Sequence, residues 1–136
     1  MSKALLIKGH GHSFEAVEFV GGLDWYYKTI GCDCIDIVEA YGLNEDVYGL
    51  EAPEEISNLC LVVDDEGLFK SEVKVNVLAS LLYGYDMHGQ PIVGDVLVCK
   101  NQYTEDGIET VGLTDDEIEQ LCNQISEIIK VHNSRI

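Results

Sequence analysis

Short apolar runs separated by glycine, asparagine and acidic residues recur along the chain. Runs of this length, bounded by turn-forming residues, are typical of β-strands. The pattern predicts strands at residues 4–8, 14–20, 34–38, 59–63, 69–75, 92–99 and 108–111. The run at 59–63 contains five consecutive apolar residues, which makes it the best candidate for a central strand. Residues 9–13 are expected to join the first two strands as a hairpin connection.

Two short helices are expected between these strands. Asp24 is suited to be the N-cap of a helix at residues 25–30, and Gly31 can end that helix in the left-handed conformation. Asn76 is suited to the same capping role for a helix at residues 77–83.

The C-terminal region carries the clearest local pattern. Thr114 and Glu117 have the spacing of a capping box, and they open a predicted helix at residues 114–132. Apolar side chains follow at helical spacing, which places one stripe against a sheet. The stripe contains Ile118, Leu121, Cys122, Ile125, Ile128, Ile129 and His132.

The order of these elements predicts one α+β domain over residues 1–136. We expect a single small mixed or antiparallel sheet of about five strands, with the C-terminal helix packed on one face. The expected core consists of Leu61, Val63, Val96, Val98, Leu121, Ile125 and Ile128.

Size and composition fit a globular protein. A chain of 136 residues with 46% hydrophobic content is not a disordered acidic tail. No apolar run approaches the roughly 20 residues of a membrane span, and the first residues lack the cleavage site of a secretory signal. The five cysteines are an odd number and four lie in apolar runs or stripes, which predicts reduced thiols. We therefore expect a cytoplasmic protein without a membrane partner.

The charge of the chain is far from that of an average small domain. It has 25 acidic residues against 8 basic ones, for a formal net charge of -17. Eleven acids and no basic residue lie between Lys28 and Lys70, and seven acids and no basic residue lie within residues 101–121. Such a field repels nucleic acid and anionic membranes and attracts basic protein surfaces or cations. Direct binding to nucleic acid is therefore not expected.

Six segments also follow one another in a recognisable order. They are residues 3–7, 23–31, 35–39, 61–67 followed by Asn76, 92–98 and 112–118. This order resembles a phage family known only as a domain of unknown function, family 3846. The resemblance covers nearly the whole chain and implies a small cytoplasmic phage or prophage accessory protein in a bacterial host cell. It assigns no catalytic or binding residue, and the acidic insertion at residues 42–58 departs from the family pattern.

Two spacings in the sequence are those of metal ligands. His10 and His12 stand two apart on a glycine-rich segment, and Cys32 and Cys34 form a second pair. A zinc site stays open as an alternative, although hairpin and core roles for these residues are favoured. The chain has no nucleophile elbow, phosphate-binding loop, dinucleotide fingerprint or metalloprotease helix. We therefore expect no enzymatic activity and no cofactor.

The sequence favours a protein-binding role. The first hypothesis is a non-enzymatic phage accessory protein that binds and blocks a host protein, such as a defence protein, through an acidic, partly DNA-mimicking surface. The predicted contacts lie within residues 41–57, which combine glycine and acids and are expected to form an ordered loop or a broken helical turn. They are Glu45, Asp46, Glu51, Glu54 and Glu55, with Tyr41 and Tyr48 as anchors.

The sequence leaves other functions open. One is a ligand-binding module that sequesters a small molecule, such as a nucleotide signal, in an oligomer cleft, with Lys70, Lys74 and Lys100 as its candidate basic residues. Another is an acidic surface that serves only solubility, and a third is a structural or regulatory phage protein. A homodimer also stays open. Sequestration needs a positive or apolar pocket, whereas inhibition of a basic target needs an unbroken negative face.

Overall fold

An antiparallel sheet organises the part of the chain that the structure describes. The structure is a computed structural model and describes residues 2–9, 13–44, 58–66, 75–84 and 91–134. Its strands are β1 (Lys3–Ile7), β2 (Phe14–Glu18), β3 (Ile35–Glu39), β4 (Leu59–Asp64), β5 (Val96–Thr104) and β6 (Gly107–Val111). Its helices are α1 (Leu23–Ile30), α2 (Tyr41–Asn44), α3 (Val77–Tyr83) and α4 (Asp115–Ser134).

The six strands form one sheet with β5 at its centre. The order is β2-β1-β5-β4-β3, and every pairing is antiparallel. β1 pairs with the first half of β5, and β6 pairs with the second half. At Lys100 the neighbours are Leu59 of β4 and Val111 of β6, so β6 lies on the same side of β5 as β1. The α+β prediction is confirmed, with six strands in place of about five.

The sheet separates two hydrophobic clusters. On one face α2, α3 and α4 pack against strand residues that include Leu61 and Val98. On the other face α1 packs Tyr26 against residues that include Val62 and Leu97. The predicted core residues all lie in the first cluster: Leu61, Val63, Val96, Val98, Leu121, Ile125 and Ile128. The C-terminal helix therefore packs on one face, as predicted.

Two of the three predicted helix starts are confirmed. The Asn76 side chain accepts a hydrogen bond from the Ala79 N–H at 3.0 Å and caps α3. Thr114 and Glu117 exchange backbone and side-chain hydrogen bonds of 3.0 and 3.2 Å, as in a capping box. The N-cap prediction for Asp24 is wrong, because Gly22 at φ 85° occupies that position and Asp24 lies in the first turn.

The central strand β5 is displaced from its predicted range of 92–99. It starts later because Gly94, at φ 77°, turns the chain, and because Asp95 accepts a hydrogen bond from the Gly9 N–H at 2.8 Å. It ends later because polar residues up to Thr104 pair with β6. The strand predicted at 69–75 lies outside the described residues except for Val75, which forms an isolated bridge with Val93.

No helix in the described ranges is long and apolar enough to cross a bilayer.

Candidate functional site

Strand β5 changes character half-way along its length. Residues 96–99 are apolar and buried, whereas residues 101–104 are polar and mostly exposed. A groove of about 590 Å³ lies beside the exposed half. Residues 100–103 form one wall of the groove, Val111 and Gly112 lie at the end of β6, and Ser2 and Asn58 complete the lining.

The hairpin of β5 and β6 supplies most of this surface. Its turn is held by Thr104, whose hydroxyl accepts from the Asp106 N–H at 3.2 Å and donates to the Gly107 carbonyl at 3.1 Å. The register places Tyr103 opposite Ile108 on the same face of the sheet. Both side chains project into solvent, with exposed fractions of 69% for Tyr103 and 63% for Ile108.

The opposite wall of the groove depends on a close approach between two backbone segments. A Cβ atom at Gly112 would lie 2.7 Å from the Cβ of Ser2 and 2.8 Å from that of Phe19, so this position requires glycine. Two backbone hydrogen bonds between Lys3 and Leu113, of 2.7 and 2.6 Å, hold the segments together. Paired backbone segments thus form this wall of the groove.

Asn58 occupies the remaining corner of the groove. Its φ of 58° is in the left-handed region, which asparagine tolerates better than most residues other than glycine. Its carbonyl accepts a hydrogen bond from the Asn101 N–H at 2.8 Å, which continues the ladder between β4 and β5. Asn58 and Asn101 therefore line one groove although they come from distant parts of the sequence, and Gln102, which follows Asn101 on β5, projects its side chain to the other face of the sheet.

Lys100 is the one basic residue among those that line the groove, and its charge is compensated. Its Nζ lies 2.8 Å from the Oε2 of Glu117 in the first turn of α4. Burial alone would raise the pKa of Glu117, but hydrogen bonds from Lys100 and from the Thr114 N–H outweigh burial and hold that pKa below its usual value. The Lys100 ammonium group is thus ion-paired with the Glu117 carboxylate, which stays charged at neutral pH.

The same compensation holds for most lysines that the structure describes. Lys3, Lys8, Lys100 and Lys130 each lie between 2.8 and 3.9 Å from a carboxylate oxygen. The described ranges contain 18 acidic residues and five lysines. Carboxylates without a cationic partner therefore dominate the described surface. On the hairpin they are Glu105, Asp106 and Glu109, all exposed.

The groove offers hydrogen-bond acceptors and an aromatic ring. Amide oxygens, the phenol of Tyr103 and the surrounding carboxylates suit a ligand that donates hydrogen bonds and carries positive charge. Among the described residues, no three His, Cys, Asp or Glu side chains converge as metal ligands.

A comparison with protein families adds the evolutionary setting. The model of the family described as "Domain of unknown function (DUF3846)" matches residues 1–126. The chain belongs to the DUF3846 family. No curated protein and no solved structure matches it.

Most of the contact residues predicted from the sequence lie outside the described part of this DUF3846 chain. They are Glu45, Asp46, Tyr48, Glu51, Glu54 and Glu55. Tyr41 is described, and its ring lies 5.8 Å from that of Tyr83, centroid to centroid. Helix α2 also packs closely on α3, since a Cβ at Gly42 would lie 2.3 Å from the Leu81 carbonyl oxygen. Tyr41 therefore belongs to a contact between two helices and not to the groove.

Of the predicted metal and ligand residues of this DUF3846 chain, the structure describes Cys32, Cys34 and Lys100. Cys32 is buried and Cys34 is exposed, so this pair does not present two thiols to one point. The carboxylate of Glu66 raises the pKa of Cys34, and burial and two aspartates add to the effect. His10, His12, Lys70 and Lys74 lie outside the described residues.

Sequence reasoning missed the groove itself. Tyr103 and Ile108 lie within the acid-rich stretch 101–121, and that charge was the one sequence feature that pointed to a surface here. Nothing in the sequence indicates that these two side chains are exposed neighbours. Ser2 and Asn58 reach the same groove only through the pairing of the strands.

Proposed function

We propose that this DUF3846 protein is a non-enzymatic phage or prophage accessory protein that binds and blocks a host protein with a basic surface. The observation that supports the proposal is the charge arrangement of the described residues. Four of the five described lysines are paired with carboxylates, so they leave little positive charge to attract an anion. An acidic surface of this kind attracts basic proteins and repels nucleic acid.

The mode of inhibition follows from the electrostatics. A nucleic-acid-binding protein presents lysine and arginine side chains to the phosphate backbone. Carboxylates that occupy those side chains exclude DNA from the same surface. A defence protein that must bind DNA is one target of this class. The inhibitor itself does not bind nucleic acid.

The test is a salt-dependent capture experiment on the full chain. Immobilised wild-type protein is incubated with nuclease-treated bacterial lysate, and bound proteins are eluted by salt or by duplex DNA. We expect basic nucleic-acid-binding proteins to be released by both eluents, because the partner's counterions are exchanged for carboxylates. Neutralising Glu45, Asp46, Glu51, Glu54 and Glu55 to Gln or Asn should reduce capture. Capture that is insensitive to salt, to DNA and to charge neutralisation would contradict the proposal.

A second candidate function is favoured by one separate observation. An apolar cavity of about 270 Å³ lies between α3 and α4, lined by Val75, Val77, Ser80, Leu81, Pro91 and His132. This volume suits a small apolar molecule better than a nucleotide. Sequestration of such a molecule would appear as a rise in melting temperature on addition of indole. Filling the cavity with Val77→Phe should then remove the rise, and an unchanged melting temperature in wild type would exclude this candidate.

A further inference from the structure

An unpartnered apolar surface lies next to the groove on the hairpin of β5 and β6. Tyr103 and Ile108 are directly opposite each other and are more than half exposed, whereas Leu97 and Cys99 on the same face of β5 are fully buried. Tyr103 also lines the groove, so the apolar pair and the groove form one continuous surface. We name this surface, residues 100–112 with Ser2 and Asn58, the hairpin surface.

The charges around the hairpin surface select its occupant. Glu105, Asp106 and Glu109 are exposed on the hairpin, and Lys100, which lines the groove, is paired with Glu117 of α4. A second copy of this chain would bring the same carboxylates against them and would be repelled. A nucleic acid would be repelled for the same reason. The complementary occupant is a cationic segment of another protein.

Arginine matches this surface in more than charge. Its guanidinium group donates several hydrogen bonds in one plane. Asn101 lies on the same face of β5 as Tyr103, and its Oδ1, which accepts from the Thr110 hydroxyl at 3.4 Å, has a second lone pair for such a donor. The same planar group stacks on aromatic rings such as that of Tyr103. Lysine satisfies the charge requirement but offers neither the planar fork nor the stacking.

We propose that the hairpin surface is a docking site for an arginine-rich segment of a protein partner. Tyr103 and Ile108 form its apolar centre, the groove amides accept hydrogen bonds from guanidinium groups, and the surrounding carboxylates supply the attraction. This inference rests on the proposed function, because it names the surface and the partner chemistry through which a basic host protein would be held.

The experiment titrates the full chain with fluorescein-labelled nona-arginine and follows fluorescence anisotropy at low salt. One variant, Tyr103→Ser with Ile108→Ser, leaves the charge unchanged. A second variant neutralises the hairpin with Glu105→Gln, Asp106→Asn and Glu109→Gln. The matched control neutralises Asp33, Asp65 and Glu66, which lie at the opposite end of the sheet. Melting temperatures verify that every variant is folded.

The proposal expects the hairpin-neutral variant to bind the peptide about tenfold more weakly than wild type. The matched control, which removes the same number of charges, should lose about threefold or less of the affinity for the peptide. The double serine variant, whose charge equals that of wild type, should bind the peptide about fivefold more weakly than wild type, because stacking and apolar contact are removed. A nona-lysine peptide should bind wild type more weakly than nona-arginine does.

The outcomes separate this inference from the proposed function. Equal weakening by the two charge variants, with no effect of the serine variant, would overturn the docking site and leave an unspecific acidic attraction. Failure of wild type to bind the peptide even at low salt would overturn the proposed function as well. Binding of a labelled DNA duplex at the same surface would also contradict both.

Discussion

The two halves of strand β5 have the same backbone conformation and opposite environments. Residues 96–99 lie between β1 and β4, which pair with 96–98 and 97–100, and helices cover both faces, so their side chains are fully buried. Residues 101–104 pair with the hairpin partner β6 beyond the helices, and Tyr103 is 69% exposed. The buried half holds the fold together, whereas the exposed half is free to carry a binding surface.

This difference shows why the net charge is tolerated. The described carboxylates lie outside the two hydrophobic clusters, and two of the half-buried ones are paired, Glu117 with Lys100 and Asp95 with Lys8. Repulsion among exposed carboxylates weakens a compact state only modestly when salt screens it. The apolar clusters therefore fix the fold, and the surface can be selected for a partner.

The largest expected effect is in the buried half of β5. Leu97→Ala removes a fully buried side chain beneath α1 and should lower the free energy of unfolding by about 2–5 kcal/mol. Chemical denaturation measures this loss. A stability equal to that of wild type would mean that the cluster beneath α1 is not packed as described.

Substitution of Asn76 should show how the segment just before the buried half of β5 is held in place. Its side chain caps α3 and donates hydrogen bonds to the Ile7 carbonyl at 3.2 Å and to the Gly94 carbonyl at 2.8 Å. Asn76→Ala removes the cap and leaves two carbonyls without this donor, which should cost about 2 kcal/mol. The exposed Asn133 on α4 supplies a control, because Asn133→Ala should leave the denaturation midpoint unchanged.

The buried half should also make stability sensitive to alkaline pH. Burial raises the pKa of Cys60 to about 12, and burial with the adjacent Cys60 raises the pKa of Cys99 further. The stabilisation from these neutral thiols is complete below the ordinary pKa of 9.0 and is lost as pH rises towards the folded values. In that window, each thiol should lower the free energy of unfolding by up to about 1.4 kcal/mol for every unit of pH increase.

Thermal unfolding under reducing conditions, at a series of alkaline pH values, measures this effect. In Cys99→Ala the decline of stability with pH should be shallower than in wild type. A decline of identical slope in both proteins would show that the Cys99 thiol ionises as readily in the folded state as in the unfolded state.

The smallest expected effect on stability is in the exposed half. Tyr103→Ser with Ile108→Ser should change the free energy of unfolding by less than about 0.5 kcal/mol per site, because neither side chain is packed in a cluster. Denaturation alongside Leu97→Ala checks the contrast directly. A loss of stability comparable to that of Leu97→Ala would show that the hairpin belongs to the hydrophobic core and would contradict the contrast between the two halves of β5.

Much of the fold could be predicted because hydrophobic periodicity and caps report local structure. The stripe of α4, the capping residues Asn76 and Thr114, and the buried run in β4 all follow from spacing alone. The second half of β5 could not be predicted, since its polar residues form a strand only because β6 pairs with them. The groove could not be predicted either, because Ser2 and Asn58 reach it through the tertiary fold.

The most direct test of the account is a nuclear magnetic resonance titration of isotopically labelled wild-type protein with nona-arginine. Each amide reports whether the peptide lies near it. The account expects chemical-shift changes concentrated in residues 100–112 and at Asn58, with little change at Asp33, Asp65 and Glu66. Changes spread evenly over exposed carboxylates, or centred on another part of the surface, would contradict a docking site on the hairpin.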